Sequence, residues 1–184
     1  MKITAIKTFV ARFGNRPRAL IKVETDEGLY GWGEAYSLGP DLSVEPIADY
    51  LFELIGGEDP RRIEYIMMKI MQEFRFPPGG AGYPAISALD HALWDISGKA
   101  AGLPVYMLLG GHVRDRIRVY RGVGGRDGKE AADAAHRLHE LHGFTAFKTS
   151  PYQLSPDANR WGRICSAAAK YFEEIRANTP EDWE

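Results

Sequence analysis

The strongest constraint on the fold is an alternation of strand and helix patterns in the C-terminal part of the chain. Arg116–Tyr120 and Phe144–Lys148 have the pattern of short strands. An amphipathic helical segment follows each of them, the first over Lys129–His142 and the second opening at Ser155–Asp157. Strand–helix–strand–helix is the repeating unit of a parallel α/β fold. A closed eight-unit β/α barrel needs about 250 residues, or at least about 200, and the 184 residues of this chain exclude it.

The pattern before residue 112 is different, because strands come first and helices follow. Three β segments lie within residues 3–35, with Asp26–Gly28 as a turn between the second and the third. This order predicts a three-stranded antiparallel meander. The helical segments that follow are predicted over Ser43–Ile55, from an N-cap at Asp59 to about Phe74, and from Pro84 to about Gly102, with a loop at Pro77–Gly82.

The charge balance argues against two classes of partner. Lys and Arg number 23 against 25 Asp and Glu, a formal net charge of −2, and we therefore expect neither nucleic-acid binding nor polybasic membrane attachment. Cys165 is the single cysteine, so no intrachain disulfide can form. No signal-peptide pattern and no apolar run of about 18 residues is present, which predicts a soluble cytoplasmic protein.

Familiar small motifs do not explain the chain. Gly122–Gly125 follows a strand and precedes a helix, but Asp127 stands where the dinucleotide fingerprint requires its third glycine. His136, His139 and His142 would spread over about 120° of a helix surface and cannot converge on one ion. Solvated histidines are the expected alternative.

One stretch carries a specific resemblance. Ala85–Lys99, continuing through Pro104–Val105 to Leu108–Gly111, closely resembles the N-terminal signature of the mandelate racemase/muconate lactonizing enzyme family of the enolase superfamily. The general pattern is most similar to acid-sugar dehydratases such as those acting on galactonate. Further segments resemble the family as well: Lys22–Gly28, Gly31–Glu34 and Leu54–Gly56.

The resemblance implies an α+β capping domain over residues 1–112 and, over residues 113–184, the first two β/α units of an incomplete TIM-type barrel. In the family the barrel binds Mg²⁺ through three carboxylates on later strands, and a base removes the proton α to a carboxylate to give an enediolate. Loss of a β-hydroxyl then gives dehydration. Mg²⁺ is thus the implied cofactor, but none of its ligands is expected within this chain.

The same resemblance implies catalytic positions at the end of the second barrel strand. Many members carry Lys-x-Lys there, whereas this sequence has Lys148-Thr149-Ser150. Ser150 cannot act as a general base at neutral pH, which resembles the dehydratases with acid and base histidines on later strands. Lys148 is expected to hold a substrate carboxylate or lie against the metal site; the alternative is a strand-end lysine paired with a barrel carboxylate.

The capping loops are the second implied site. Phe13–Arg18 and Arg75–Tyr83 match the positions of loops that close over substrate in the family. Arginine forks and amide or phenol groups suit the carboxylate and hydroxyls of a sugar acid, and solvated side chains are the alternative. The substrate-binding residues implied are Asn15, Arg16, Arg18 and Tyr83. The charged residues of the signature helix, Asp90, Asp95 and Lys99, are expected to pack and pair at the domain junction instead.

Three hypotheses for function follow. The first is the N-terminal portion of a Mg²⁺-dependent acid-sugar dehydratase that forms a homo-oligomer. The second is a racemase or cycloisomerase of the same superfamily, against which Ser150 argues. The third is a shortened, non-catalytic chain that acts as an oligomer or partner-binding module.

Overall fold

The computed structural model describes residues 1–14, 16–36, 39, 41–151 and 160–184, with Arg16 described by its backbone alone. The chain forms two compact units, Met1–Val113 and Arg114–Glu184. Within the described residues, no helix is both long and apolar enough to cross a membrane.

The first unit begins with an antiparallel sheet in the order β1-β2-β3, which confirms the predicted meander. Its strands are β1 (Ile3–Phe13), β2 (Arg16–Thr25) and β3 (Tyr30–Ala35). Gly28 occupies the turn between β2 and β3 with φ +80°, a conformation that favours glycine. The Thr25 hydroxyl donates to the Leu29 carbonyl across this turn at 2.7 Å.

The helices of the first unit pack on the sheet or on one another. They are α1 (Val44–Ile55), α2 (Ile63–Glu73), α3 (Gly79–Ala101) and the short α4 (Val105–Leu108). Side chains from the inner sheet face and from α1, α2 and α3 form one hydrophobic core, in which Ile21, Leu51, Ile66 and Leu89 are fully buried. Burial of such side chains contributes about 1.5–3 kcal/mol each.

Two predicted helix starts are wrong. Asp59 does not cap α2, because its carboxylate accepts the backbone N–H and the side chain of Arg61 in a turn before the helix begins at Ile63. Helix α3 begins at Gly79, inside the predicted loop, and continues through Pro84. Gly82 allows this tight start, because a Cβ there would lie 2.5 Å from the Pro78 Cβ.

Strand β3 lies unusually close to α3. A Cβ on Gly31 would lie 1.9 Å from the Ala92 carbonyl oxygen, and one on Gly33 would lie 1.8 Å from that of Ala88. Atoms cannot approach so closely, so the two glycines are required by the packing of strand against helix. The contacts of Gly31 with Ala92 and of Gly33 with Ala88 therefore explain why the segment Gly31–Glu34 alternates glycine with larger side chains.

The same helix covers the outer edge of β3. The Asp95 carboxylate accepts the Trp32 backbone N–H at 3.0 Å and the Lys99 ammonium at 2.7 Å. The Lys99 ammonium also donates to the Tyr30 carbonyl at 2.7 Å. An edge strand otherwise presents unpaired backbone groups, so this pair satisfies β3 from the side that has no neighbouring strand.

The second unit has the strand–helix alternation expected from the sequence. Its elements are β4 (Arg121–Gly122), α5 (Gly128–His142), β5 (Phe147–Lys148) and α6 (Trp161–Ala177), and β4 pairs in parallel with β5. The predicted strand over 116–120 is wrong by position, because β4 begins one residue after it and ends on the first residue of the expected glycine turn. The predicted opening of the last helix at 155–157 lies outside the described residues.

Helix α5 begins at Gly128, one residue before the predicted start at Lys129, and Asp127 caps it. The Asp127 carboxylate accepts the Glu130 backbone N–H at 2.9 Å, and the Glu130 carboxylate accepts the Arg126 backbone N–H at 2.9 Å. This reciprocal arrangement satisfies helix-start donors. The Arg126 guanidinium also bonds to Glu130 and lowers the pKa of that carboxyl to about 2. Gly143 ends the helix with φ +74°.

Candidate functional site

The predicted site residues lie in both units of the chain. At the tip of the β1–β2 hairpin, Phe13 pairs with Arg16, and Gly14 adopts φ +65°. The expected loop over residues 13–18 is shorter than predicted, because β1 extends to Phe13 and β2 begins at Arg16. Asn15 lies outside the described residues, and Arg16 is placed only as the first residue of β2.

Arg18 lies on β2 and is engaged within the sheet. Its guanidinium is 3.1 Å from the Glu34 carboxylate on β3, and the Arg18 side chain is one-third exposed. Leu20 alternates with the buried Ala19 and Ile21, so Arg18 belongs to the outer face of the sheet. A substrate carboxylate at this arginine would have to compete with Glu34.

Tyr83 lies in the second turn of α3. Its side chain is 48% exposed, so the phenol is open to a ligand. The glycine-rich start of α3 carries it: Gly79 has φ +71°, and a Cβ on Gly80 would meet nothing within 4 Å. This end of the helix therefore offers an accessible hydroxyl beside a backbone with little side-chain cover.

Lys148 and Ser150 lie at the carboxyl end of β5. Lys148 is exposed, and none of the described residues forms an ion pair with it. Thr149 points to the helix side, where its hydroxyl lies 3.2 Å from the hydroxyl of the buried Tyr171 on α6. Because strand side chains alternate, Lys148 lies on the opposite face from Thr149, and β5 ends before Ser150.

An open depression of about 470 Å³ accompanies Lys148. Tyr120, Phe172 and Glu184 contribute to its lining. The Glu184 carboxylate accepts from Arg118 at 2.7 Å, so the acid nearest this depression is already paired. Lys148 thus remains available to an anion.

The end of the chain extends the parallel arrangement beside β5. The Glu184 N–H donates to the Thr145 carbonyl at 3.0 Å, and the Phe147 N–H donates to the Glu184 carbonyl at 2.7 Å. Arg176 holds this segment by donating to the carbonyls of Trp183 at 2.9 Å and Glu181 at 3.0 Å.

Two of the three helix histidines have a structural role that the sequence did not indicate. The rings of His136 and His139 lie 4.9 and 4.8 Å from the Trp183 ring, and Trp183 is buried. Each also bonds to a backbone carbonyl, His136 to Asn178 and His139 to Phe144. His139 is exposed, as expected, and His136 is partly buried. The expectation omitted their packing, because Trp183 lies 47 and 44 residues further along the chain.

The charged residues of the signature helix divide into two groups. Asp95 and Lys99 pair, as expected, but they do so at the edge of β3, within the first unit. Asp90 has no hydrogen-bond or ion-pair partner among the described residues. Partial burial, followed by the charge of Glu64, raises the pKa of the Asp90 carboxyl, and His91 opposes the shift.

A further depression of the first unit lies away from every predicted residue. It measures about 610 Å³ between the start of α2 and the second half of α3, beside Arg61, Arg62 and Trp94. Arg61 is held by Asp59, and the Arg62 guanidinium stacks on the Tyr65 ring at 3.9 Å. Sequence patterns give no signal for it, because its lining comes from separate helices.

The residues present do not fit a magnesium ion. Throughout residues 1–14, 16–36, 39, 41–151 and 160–184, no three His, Cys, Asp or Glu side chains are grouped so that they could hold a metal.

Comparison with known proteins gives the relatives of the chain. A D-galactonate dehydratase of Xanthomonas axonopodis pv. citri is 47% identical over 180 residues, which are 96% of this chain and 45% of that protein. A D-galactonate dehydratase of Variovorax paradoxus is 44% identical over 126 residues, covering 68% of this chain and 32% of that protein. The chain spans about half the length, or less, of the curated relatives it matches.

Solved structures agree over the whole chain. An enolase from Agrobacterium radiobacter with bound Na and L-malate has a TM-score of 0.88 and 49% identity, covering 100% of this chain and 47% of that one. An enolase from Pantoea ananatis with bound D-gluconate and Mg has a TM-score of 0.84 and 29% identity, covering 99% of this chain and 52% of that one. These neighbours confirm the predicted fold class, an α+β capping domain followed by the start of a β/α barrel.

The family match covers most of the first unit. Residues 2–110 match the N-terminal domain of the family described as mandelate racemase/muconate lactonizing enzyme. With the meander, the signature helix and the structural neighbours in agreement, the chain belongs to the mandelate racemase/muconate lactonizing enzyme family of the enolase superfamily.

Proposed function

We propose that this chain is the N-terminal portion of an acid-sugar dehydratase, to which it contributes the cap and the first two β/α units. The observation that carries the proposal is 47% identity to a D-galactonate dehydratase over 180 residues that cross both units. Similarity that continues from the cap into residues 114–184 supports a shared active-site architecture more strongly than a match confined to the cap would.

The proposed reaction removes water from a 2,3-dihydroxy acid. A base takes the proton from the carbon next to the carboxylate, and the electron pair moves onto the carboxylate as an enediolate. The pair then returns as the β-hydroxyl leaves with a proton from an acid. The enol that remains tautomerises to a 2-keto-3-deoxy acid, so one water is lost overall and no oxidant is needed.

Within this scheme Lys148 binds the substrate carboxylate. Its ammonium is exposed and unpaired among the described residues, and a cation beside the carboxylate stabilises the charge that grows there in the transition state. Ser150, two residues further along the chain, supplies a hydrogen bond and not a base. Tyr83 binds a sugar hydroxyl, while Asn15, Arg16 and Arg18 remain proposed contacts of the hairpin tip, Arg18 the weakest because Glu34 engages it.

The test uses the longest natural protein that contains this sequence, supplied with Mg²⁺ and a panel of aldonic and aldaric acids. We expect a 2-keto-3-deoxy product from at least one substrate, measured by semicarbazone absorbance. The 184-residue chain alone should give none. Racemisation without dehydration, or dehydration by the 184-residue chain alone, would contradict the proposal.

The proposed role of Lys148 has its own test in that protein. Lys148→Met should lower kcat/KM by about 10²–10³-fold, the range for removing a group that stabilises transition-state charge. Lys170→Met is the matched control, because Lys170 is an exposed lysine of α6 whose ammonium is 3.8 Å from Glu174. Equal activity of the two variants would remove Lys148 from the site.

A further inference from the structure

The first strand of the capping sheet has a long open edge. Ile3 is the exception, because it exchanges backbone hydrogen bonds with Gly57 and Glu58 at 2.9 Å. From Ala5 to Phe13 the strand pairs with β2 on one side. On its other side, none of the described residues forms a backbone hydrogen bond with it.

The two edges of this sheet are treated differently. The β3 edge is covered by Asp95 and Lys99 of α3. The open stretch of β1 instead carries apolar side chains, with Phe9, Val10 and Phe13 exposed by 44%, 40% and 57%. Proteins usually blunt an edge of this length by charge, proline or cover, because it can pair with another chain.

The alternation of backbone groups shows which residues of β1 are free to pair. Tyr30 and Trp32 use backbone groups to bond to α3, so these groups point away from β2. The residues opposite them on β2 are Glu24 and Lys22, and their backbone groups therefore point away from β3 and toward β1. Lys22 lies opposite Lys7. The odd-numbered residues of β1 therefore bond to β2, and the backbone groups of Thr8, Val10 and Arg12 point away from the sheet.

The charge pattern of this edge is compatible with pairing to itself. A two-fold axis perpendicular to the sheet keeps both sets of helices on one side, and it pairs odd residues with odd and even with even. Lys7 and Arg12, the basic residues of the open stretch, then lie on opposite sheet faces and never meet. Lys7 is also neutralised by Glu24 at 2.7 Å.

An aromatic contact lies on the outer face beside the same edge. The rings of Phe9 and Trp32 are 5.3 Å apart and tilted by 51°. A second β1 placed alongside would bring apolar residues of the mate next to Phe9, and aromatic cross-strand pairs each contribute about 0.2–1 kcal/mol.

We propose that β1 pairs antiparallel with β1 of a second copy of this chain, joining two three-stranded sheets into one six-stranded sheet. The interface does not depend on the proposed enzymatic function, because its groups are backbone atoms and apolar side chains of the hairpin. The pairing uses the backbone groups of Thr8, Val10 and Arg12.

The experiment is light scattering on the longest natural protein that contains this sequence after size-exclusion chromatography, combined with hydrogen exchange resolved by residue. We expect a dimer, with slow exchange at the amides of Thr8, Val10 and Arg12. A monomer at all concentrations up to 100 µM would overturn the proposal. So would a dimer in which these three amides exchange as fast as in an open strand.

Val10→Pro tests the edge directly. It removes one outward N–H that β2 does not use, and edge strands tolerate proline in that position, so the dimer should dissociate at least tenfold more readily. Val10→Ala keeps the N–H and is the matched control, expected to remain dimeric. Far-ultraviolet circular dichroism checks that both variants are folded. Equal dimer affinity of the two folded variants would place the interface elsewhere; if Val10→Pro does not fold, hydrogen exchange of the unsubstituted chain decides.

Discussion

Two positions of β3 must be glycine, because carbonyl oxygens of α3 lie where a Cβ would be. A Cβ on Gly33 would lie 1.8 Å from the Ala88 oxygen, and both partners are backbone in regular elements that cannot move independently. Spacing two glycines one residue apart is visible in the sequence. Which helix they approach is not, because α3 begins more than 40 residues later.

Gly33→Ala should therefore separate β3 from α3 and lower the free energy of unfolding by about 3 kcal/mol, the upper range for overpacking. Urea denaturation followed by circular dichroism measures it. Gly80→Ala is the control, because a Cβ there meets nothing within 4 Å and φ is not positive. A Gly33→Ala midpoint equal to that of the control would mean that the close approach is absent.

Ionisation of the Asp59 carboxyl should contribute to the pH dependence of the free energy of unfolding. Hydrogen bonds from Arg61 lower the pKa of this carboxyl from 3.8 to about 2. A carboxyl with a depressed pKa in the folded state stabilises the protein above the unfolded pKa, and the contribution is lost as the pH falls from about 4 toward 2.

Asp59→Asn should cost about 1 kcal/mol at pH 7, with allowance for solvent screening around the exposed Arg61. The difference from the unsubstituted chain should vanish near pH 2. Thermal unfolding between pH 2 and pH 7 measures it, with Asp49→Asn, an exposed carboxylate of α1, as the control. A deficit that persists unchanged at pH 2 would assign the effect to something other than ionisation.

At the scale of elements, α3 is the helix that connects the sheet, the core and the β3 edge of the capping domain. Its small residues accept β3, its apolar face enters the core, and its acid–base pair covers the β3 edge. The apolar stripe of this helix is readable from a spacing of threes and fours. The start of the helix at Gly79 is not readable from the sequence, because glycine and proline ordinarily signal a loop. Only the close contact of Gly82 with Pro78 indicates a helix there.

Asp95→Asn should leave the Trp32 N–H with a weaker acceptor and Lys99 without its charge partner, lowering the unfolding free energy by about 1 kcal/mol. Lys99→Met should cost a similar amount, because it leaves the Tyr30 carbonyl without its donor. In urea denaturation the double variant should cost less than the sum of the two, because the residues share one network. Strict additivity would show that the two residues act separately.

The elements of the second unit show where pattern reasoning weakens. Helix α5 ends at His142 as predicted and begins at Gly128, one residue before the predicted Lys129. Strand β4 does not lie within residues 116–120, where apolar residues alternate. The position of this two-residue strand is determined by its parallel pairing with β5. Likewise, the pairing of Glu184 with β5 depends on Arg176 and Trp183, residues whose roles no local pattern reveals.

At the scale of the whole molecule, the two units differ in how much they bury. The main hydrophobic cluster belongs entirely to residues 1–113. Over residues 114–151 and 160–184 the buried apolar residues are mostly alanines with Tyr171 and Trp183, while Ile117, Val119 and Trp161 are exposed by 76%, 60% and 67%. A unit of about 70 residues with so small a core is marginal.

Residues 1–113 should therefore fold when produced alone, with a cooperative thermal transition and dispersed amide resonances. Residues 114–184 alone should give neither, because their apolar side chains and two-residue strands lack cover. The matched control is the 184-residue chain, which should show the transition of the first unit. A cooperative transition in the isolated second segment would contradict this expectation.

The sequence by itself determined the fold class, the meander, the α/β alternation and the family, because these follow from hydrophobic periodicity, turn residues and an ordered signature. It also indicated Lys148, Ser150, Arg18 and Tyr83 as candidates, but only as positions in a pattern. The tertiary structure decided that Glu34 engages Arg18 while Lys148 is left without a partner among the described residues. It also decided that Asp95 and Lys99 cover one sheet edge while β1 stays open. The physical reason is that ion pairs, close approaches and open edges depend on which distant residues meet in space, and local periodicity carries no information about those meetings.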